Sequence, residues 1–496
     1  IMSTKRIALR TISLFCALLI GATAIGCGSD GTSEVTTAET TSASTTVVDD
    51  SRVQDNLPEL DLEGRTVNIL IREDMAYEFD TEQSGDIMDD VVYERNQDIM
   101  DRFNLNLEYI VEPGNWAYKD TYQSLITTAV LANDSTYDIV TGQSNVIIPL
   151  AVQGMFYDAA NAKYIDYSQP YWKEGFFDNI NINGKIYVLG GDFAISMLSA
   201  SNVIFFNKDL MDEYQIEYPY DLVRNGTWTV DKFFEMATTV TADLNGDGFI
   251  GGEDLHGFCG YNNSIQPFFY GSELSYMSMG EDGKRYIDFP NDKAIDIFDR
   301  FSAFCQSDSW LDASKAYTYE SGGSGAVEQV MASTFINGNH LMIGMKLEFI
   351  NMLRNMESDF GVVPYPKYDE AQEDYHVSIL RTFTVSAIPL SATDYDTAGL
   401  VLEALACEGY NDIIPAYYEV ALKDKYSRDD GTVEMLDIIS NSAYLDFADA
   451  FYTELGISDY FAGYVMAGQS NLVSSFESQR KSLQTKLDNL YESFEE

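Results

Sequence analysis

Between residues 66 and 140 the apolar pattern alternates between a period of two and a period of 3.6, and this alternation limits the fold more than any other feature of the chain. Residues 66–71 (TVNILI) form a short β-type run. From 85 to 103, apolar residues recur at Ile87, Met88, Val91, Val92, Ile99 and Phe103, a helical stripe. Residues 107–111 predict a second strand. Residues 118–132 predict a second helix with Tyr122, Leu125, Ile126 and Ala129 on one side, and 137–140 a third strand. Strand–helix–strand–helix–strand predicts a parallel α/β layer. Ligands of open α/β sheets sit beyond the carboxyl ends of the strands. That rule points to Arg72, Glu73 and Asp74 after the first strand and to residues 141–145 (TGQSN) after the third. The plainer alternative is that these are ordinary loop tips, which are polar by default.

Beyond residue 220 helical segments dominate. One runs to about Thr239 with Thr229 as its N-cap, others cover 292–306 and 326–334, and the last carries Leu472, Phe476, Leu483, Leu487, Leu490 and Phe494 on one face. No repeat of 20–50 residues is visible, which argues against a solenoid. The 496 residues suffice for two or three domains, and 45% hydrophobic with 13% aromatic content supplies a core. Thirty Lys and Arg stand against 79 Asp and Glu, a formal net charge of −49. A field of that sign repels phosphate backbones and anionic headgroups, so nucleic acid and basic membrane-surface binding are poor readings.

At the amino end, Lys5, Arg6 and Arg10 precede an apolar stretch, residues 12–20, and then small residues. This is the layout of an export signal, and the stretch is short of the roughly 20 residues of a stable span. Residues 24–27 (AIGC) resemble the lipobox of bacterial lipoproteins, which implies a signal peptide over 1–26, lipidation at Cys27 and an anchor on the extracellular face of the cell membrane. Ala24 stands where that motif has Leu, and ordinary secretion with an unmodified Cys27 is the alternative. The Thr/Ser/Ala-rich stretch that follows lacks any apolar period, so 27–59 is expected to be a flexible tether.

Four segments together are similar to family 1 extracellular solute-binding proteins of ABC importers, the group that includes maltose-binding protein. They are residues 137–142 (YDIVTG); 183–189 (NGKIYVL) with 203–210 (VIFFNKDL); 226–233 (GTWTVDKF); and 335–342 (FINGNHLM) with 360–366 (FGVVPYP). Each is weak alone; their order and spacing over 60–410 make the set specific. The resemblance implies an α/β, two-lobe periplasmic-binding-protein-like fold of type II with crossing hinge strands. Lobe 1 would take 60–197 and 360–408, and lobe 2 would take 203–359 and 409–496. It further implies a monomeric receptor that captures a small solute, an oligosaccharide, between the lobes and delivers it to ABC permease subunits. Where the family has an aromatic sugar platform, this chain reads Gly344, Met345, Lys346, which weakens the sugar inference and not the fold.

Ligand-binding candidates near the implied cleft are Asp74, Gln143, Trp172, Asp192, Tyr270, Trp310, Lys346 and Arg381. Sugar clefts combine aromatic faces with a few placed polar groups. Against this, an aromatic residue more often packs in a core, and a charged one as often serves a local ion pair. A peptide or other solute receptor of the same fold is an open alternative, because fold does not fix ligand.

The sharpest local motif is residues 243–254 (DLNGDGFIGGED). Side-chain oxygens fall at positions 1, 3, 5 and 12 (Asp243, Asn245, Asp247 and Asp254), Gly248 is at the sharp turn of position 6, and Phe249 offers a carbonyl at position 7. That spacing predicts a structural Ca2+ site. A plain Asn/Asp/Gly turn is the alternative. No metalloprotease, nucleophile-elbow or phosphate-loop motif occurs, and His256, His340 and His376 form no close sequence pair. A non-enzymatic role is expected, although a glycoside hydrolase needs only two placed carboxylates. Cys259, Cys305 and Cys407 are expected as three free thiols, or as one disulfide and one thiol.

Overall fold

The computed structural model describes residues 52–317, 324–353, 356–422 and 430–495. The export segment, Cys27 and most of the expected tether lie outside these residues. The last part of that tether, 52–59, is described and packs on the body. Arg52 reaches Glu408 at 2.6 Å and Asp412 at 2.5 Å, the Val53 amide donates to Asn411 at 3.0 Å, and Val53 and Leu57 lie against the core. Residues 52–59 therefore belong to the folded body, contrary to the expected tether.

The alternating segment folds as its periodicity predicts. Strands β1 (Arg65–Arg72) and β2 (Leu105–Glu112) pair in parallel over eight residues, and β3 (Ile139–Gln143) runs parallel to β1 on its other side. Between them, helix Ile87–Phe103 starts at Asp86, whose carboxylate accepts from the Met88 and Asp89 amides, and stops at Asn104 in the left-handed region. Val92, Ile99 and Phe103 are buried, whereas Ile87, Met88 and Val91 are only half-buried. The core-facing stripe is thus rotated toward Arg95 and Asn96, which are buried with it.

A second sheet holds β4 (Asn202–Asn207), β5 (His256–Gly260), β6 (Trp310–Asp312), β7 (His340–Lys346) and β8 (Phe360–Pro364) in the order β8-β4-β7-β5-β6. The first sheet has the order β9-β3-β1-β2, where β9 (Thr384–Ala387) runs antiparallel to β3. This is a mixed α/β architecture of two sheets with crossing connections. One boundary moves. With a division at 360, strand β8 would fall in lobe 1, but it pairs antiparallel with β4 from Phe360↔Asn207 to Pro364↔Val203. The chain returns to the first sheet later, between Tyr365 and Thr384. All five of its residues are buried, so the segment's own pattern does not say which sheet it joins.

The two connecting passages run side by side. Leu189 and Ser386 exchange backbone hydrogen bonds at 2.7 and 2.9 Å, and Ser201 bridges Ile379 in antiparallel fashion. The carboxyl-terminal helices do not belong to one lobe, contrary to the expected 409–496 assignment. Helix Ile414–Leu422 packs on helix Ile87–Phe103, whereas helix Tyr460–Met466 packs on helix Asn262–Gly271 of the second lobe. The other expected helices appear as Val230–Thr239, Asp292–Phe304, Ser324–Ile336 and Leu472–Glu492, with Thr229 accepting from the Lys232 amide as its cap. Among the described residues no helix is long and apolar enough to cross a membrane, and Cys259, Cys305 and Cys407 are free thiols.

Candidate functional site

The carboxyl ends of β1, β3 and β7 face a common cleft of about 840 Å³. β1 delivers Arg72 and, in the turn after it, Asp74. β3 delivers Gln143, and helix Ser144–Val152 adds Asn145. β7 ends at Lys346, with Glu348 following, and helix Asn262–Gly271 contributes Asn263. The returning passage brings Leu380, Arg381 and Thr382 to the same space. It is fixed there by helix Ser144–Val152, because the Ser144 hydroxyl donates to the Arg381 carbonyl at 2.7 Å and the Ser144 amide to that of Phe383 at 3.0 Å.

Of the eight candidates, the fold brings Asp74, Gln143, Lys346 and Arg381 into this cleft. Tyr270 lies in a small adjoining pocket that shares Asn263, Leu380 and Arg381 with it. The other three are structural, which corrects the expectation. Trp172 is buried in the first lobe and donates its indole N–H to Glu403 at 2.8 Å. Asp192 is buried in an ion pair with Lys173 at 2.8 Å. Trp310 stacks on Phe258, with ring centroids 5.7 Å apart, inside the second lobe. Aromatic rings that bury this much area usually do so in the core.

Two aromatic residues of the cleft had been missed. Trp116, 48% exposed, sits in a 3-10 turn that Asn115 caps by accepting from the Ala117 amide. Tyr452 lies with its ring 4.0 Å from the Arg381 guanidinium. The signal for Trp116 was present in the sequence: an indole beside Gly114 and Asn115, directly after a strand, where nothing apolar remains to be packed. Tyr452 comes from the carboxyl-terminal helices and had no sequence signal.

The charged groups of the cleft are all engaged. Arg72 donates to Asp74 at 3.3 Å and to the Thr382 carbonyl at 3.0 Å. Arg381 bonds Asp449 at 2.8 Å and Asp459 at 2.7 Å. Lys346 pairs with Glu348 and with the buried Glu328, the latter at 3.6 Å. Burial works against the Lys346 ammonium, but Glu328 and Glu348 outweigh it and raise its pKa. The same balance, with burial opposed by Asp449 and Asp459, raises that of Arg381. Three polar atoms are not engaged. Arg72 Nε, Gln143 Oε1 and Asn145 Oδ1 are buried with no hydrogen-bond partner. Such atoms are costly unless something meets them.

In the 243–254 loop the side chains turn to the backbone of the loop itself. Asp243 accepts from the Gly246 and Gly248 amides at 2.6 and 2.8 Å, and Asp254 from those of Leu244 and Gly251 at 2.9 and 2.7 Å. Asn245 and Asp247 each accept from the amide two residues on. Gly246 and Gly248 hold φ of 75° and 83°, which only glycine adopts freely. Among the described residues no three His, Cys, Asp or Glu side chains stand together closely enough to hold a metal. The donor types are nonetheless all hard oxygens, including the Phe249 carbonyl, and these suit calcium. His256, two residues beyond, places its ring nitrogens at 2.8 Å from the Gly251 carbonyl and 3.0 Å from that of Asp308, a structural role.

No family model matches the chain, and no curated protein matches it closely. Solved structures do. A sugar transporter of Rhizobium etli in an open conformation superposes with a TM-score of 0.54 at 16% identity, covering 86% of this chain and 98% of that one. A cyclo/maltodextrin-binding protein complexed with maltotetraose gives 0.54 at 12% identity, covering 86% and 97%. UspC of M. tuberculosis gives 0.54 at 12% identity, covering 85% and 100%. At such identities the likeness establishes the fold: two lobes of the periplasmic-binding-protein type.

Proposed function

We propose that this protein is the extracellular solute-binding component of an ABC importer and that it captures an oligosaccharide in the cleft between its lobes. The observation that carries this reading is the composition of the cleft. The exposed indole of Trp116 supplies a flat apolar face, and Tyr452 adds a phenol ring with one side taken by Arg381. Buried Arg72, Gln143 and Asn145 offer hydrogen-bonding atoms without partners. Sugars present both features at once, an apolar ring face and a rim of hydroxyls. The absent platform at Lys346 is replaced in this reading by Trp116, which approaches from the first lobe.

Structural neighbours support a sugar ligand: one is complexed with maltotetraose, and another, from Thermotoga lettingae, is bound with α-D-tagatose. Delivery to permease subunits, a monomeric state and anchoring through Cys27 belong to the proposal. So does a binding rather than catalytic role. The 243–254 loop is read as a structural calcium site, supported by its spacing and its oxygen donors. Calorimetric titration of the purified chain against neutral, acidic and amino oligosaccharides and short peptides tests the main reading. It predicts saturable one-to-one binding of a saccharide. Binding of peptides with no response to any saccharide would defeat it.

A further inference from the structure

The three cations that line the cleft are each bound to carboxylates on the protein's own side. Arg72 has Asp74, Lys346 has Glu328 and Glu348, and Arg381 has Asp449 and Asp459. Three positive groups are thus matched by five negative ones, within a chain of formal net charge −49. A carboxylated sugar entering here would find each cation already paired with an acid, and only the buried Nε–H of Arg72 without a partner. Like charges brought together at a desolvated site are strongly unfavourable. The atoms that do lack partners are of a different kind. They are one N–H of Arg72 and the amide oxygens of Gln143 and Asn145, on side chains whose residues are at most 8% exposed. All three residues line the cleft, and a donor with two acceptors suits hydroxyl groups, each of which both gives and takes a hydrogen bond.

Resting on the sugar-binding reading above, we propose that the cleft selects uncharged oligosaccharides and rejects uronate-containing ones, with the floor subsite built by Arg72, Gln143 and Asn145. The acid pairs therefore act as a charge filter as well as holding the cations in place. Specificity of this sort, a penalty set against the wrong ligand, is a common way to discriminate between ligands of one shape.

The test is a calorimetric comparison of maltotetraose, cellotetraose and xylotetraose with tetragalacturonate on the full chain, at low and high ionic strength. The best neutral tetrasaccharide is expected to bind at least about 10-fold tighter than tetragalacturonate, and salt should narrow the gap by screening. The double variant Glu348→Gln/Asp459→Asn should narrow the gap by about 10-fold at low salt, because it removes two of the five acids and leaves Lys346 with Glu328 alone and Arg381 with Asp449 alone. Both positions are more than a third exposed, and each substitution keeps the size of the side chain, so neither opens a cavity in the core. Tetragalacturonate binding as tightly as every neutral sugar would overturn the charge filter and leave the sugar reading standing. A gap that neither salt nor the double variant changes would overturn the assignment to these pairs. No binding by any of the four would remove the sugar reading, and the filter with it.

Discussion

Trp116 and Trp310 carry the same indole into opposite surroundings, 48% and 7% exposed. Their substitutions should have opposite phenotypes. Trp116→Ala should weaken oligosaccharide binding by about 10- to 100-fold, the equivalent of one good stacking face, and leave the melting temperature almost unchanged. Trp310→Ala should cost about 3–5 kcal/mol of stability by opening a cavity between Phe258 and Phe304, as read by denaturant unfolding. Asp449 supplies a pH test. Burial, against the pull of Arg381, pushes its carboxyl up to about 6 from 3.8. The folded chain therefore holds a proton that the unfolded chain releases between these values. The stability this group contributes is full below 3.8 and is lost as the pH rises through 6. Relative to Asp449→Asn, the wild type should lose on the order of 2–3 kcal/mol across that window. A pH profile parallel to that of the variant would contradict the assignment.

At the scale of elements, the 243–254 loop and the approach of helix Val230–Thr239 to β5 make separate predictions. If the loop binds calcium only when folded, chelation should lower the melting temperature. The loss corresponds to about 3 kcal/mol where free calcium had been about 100 times Kd, and Asp243→Ala should abolish the response. Gly257 in β5 is there for space, since a Cβ would come within 1.7 Å of the Ala237 carbonyl oxygen. Gly257→Ala should therefore push helix and strand apart and sharply reduce the yield of folded protein, as a thermal melt would register. The elements themselves were well marked in the sequence. Periodicity located the first three strands and the final helix, and a threonine just before an apolar run located the cap at Thr229. Strand β8 was misplaced because a fully buried strand looks the same whichever sheet it joins.

In the whole molecule, two chain passages, near 189–201 and 379–386, connect the sheets side by side, and the cleft opens at the strand ends beside them. Because ligands gather beyond those ends, Arg72, Asp74, Gln143 and Asn145 were legible in the sequence. Three-dimensional pairing was not legible: Asp192 and Trp172 looked available until Lys173 and Glu403 were found against them. Tyr452 could not be foreseen, because nothing in a sequence states where carboxyl-terminal helices return. The central claim, that an oligosaccharide is held in this cleft, can be read from tryptophan emission. Of the four tryptophans, Trp172, Trp228 and Trp310 are 7% exposed or less, so Trp116 is the indole that a ligand can cover. Titration with neutral oligosaccharides should give a saturable blue shift that disappears in Trp116→Phe. No shift with any sugar, or the same shift in the variant, would contradict it.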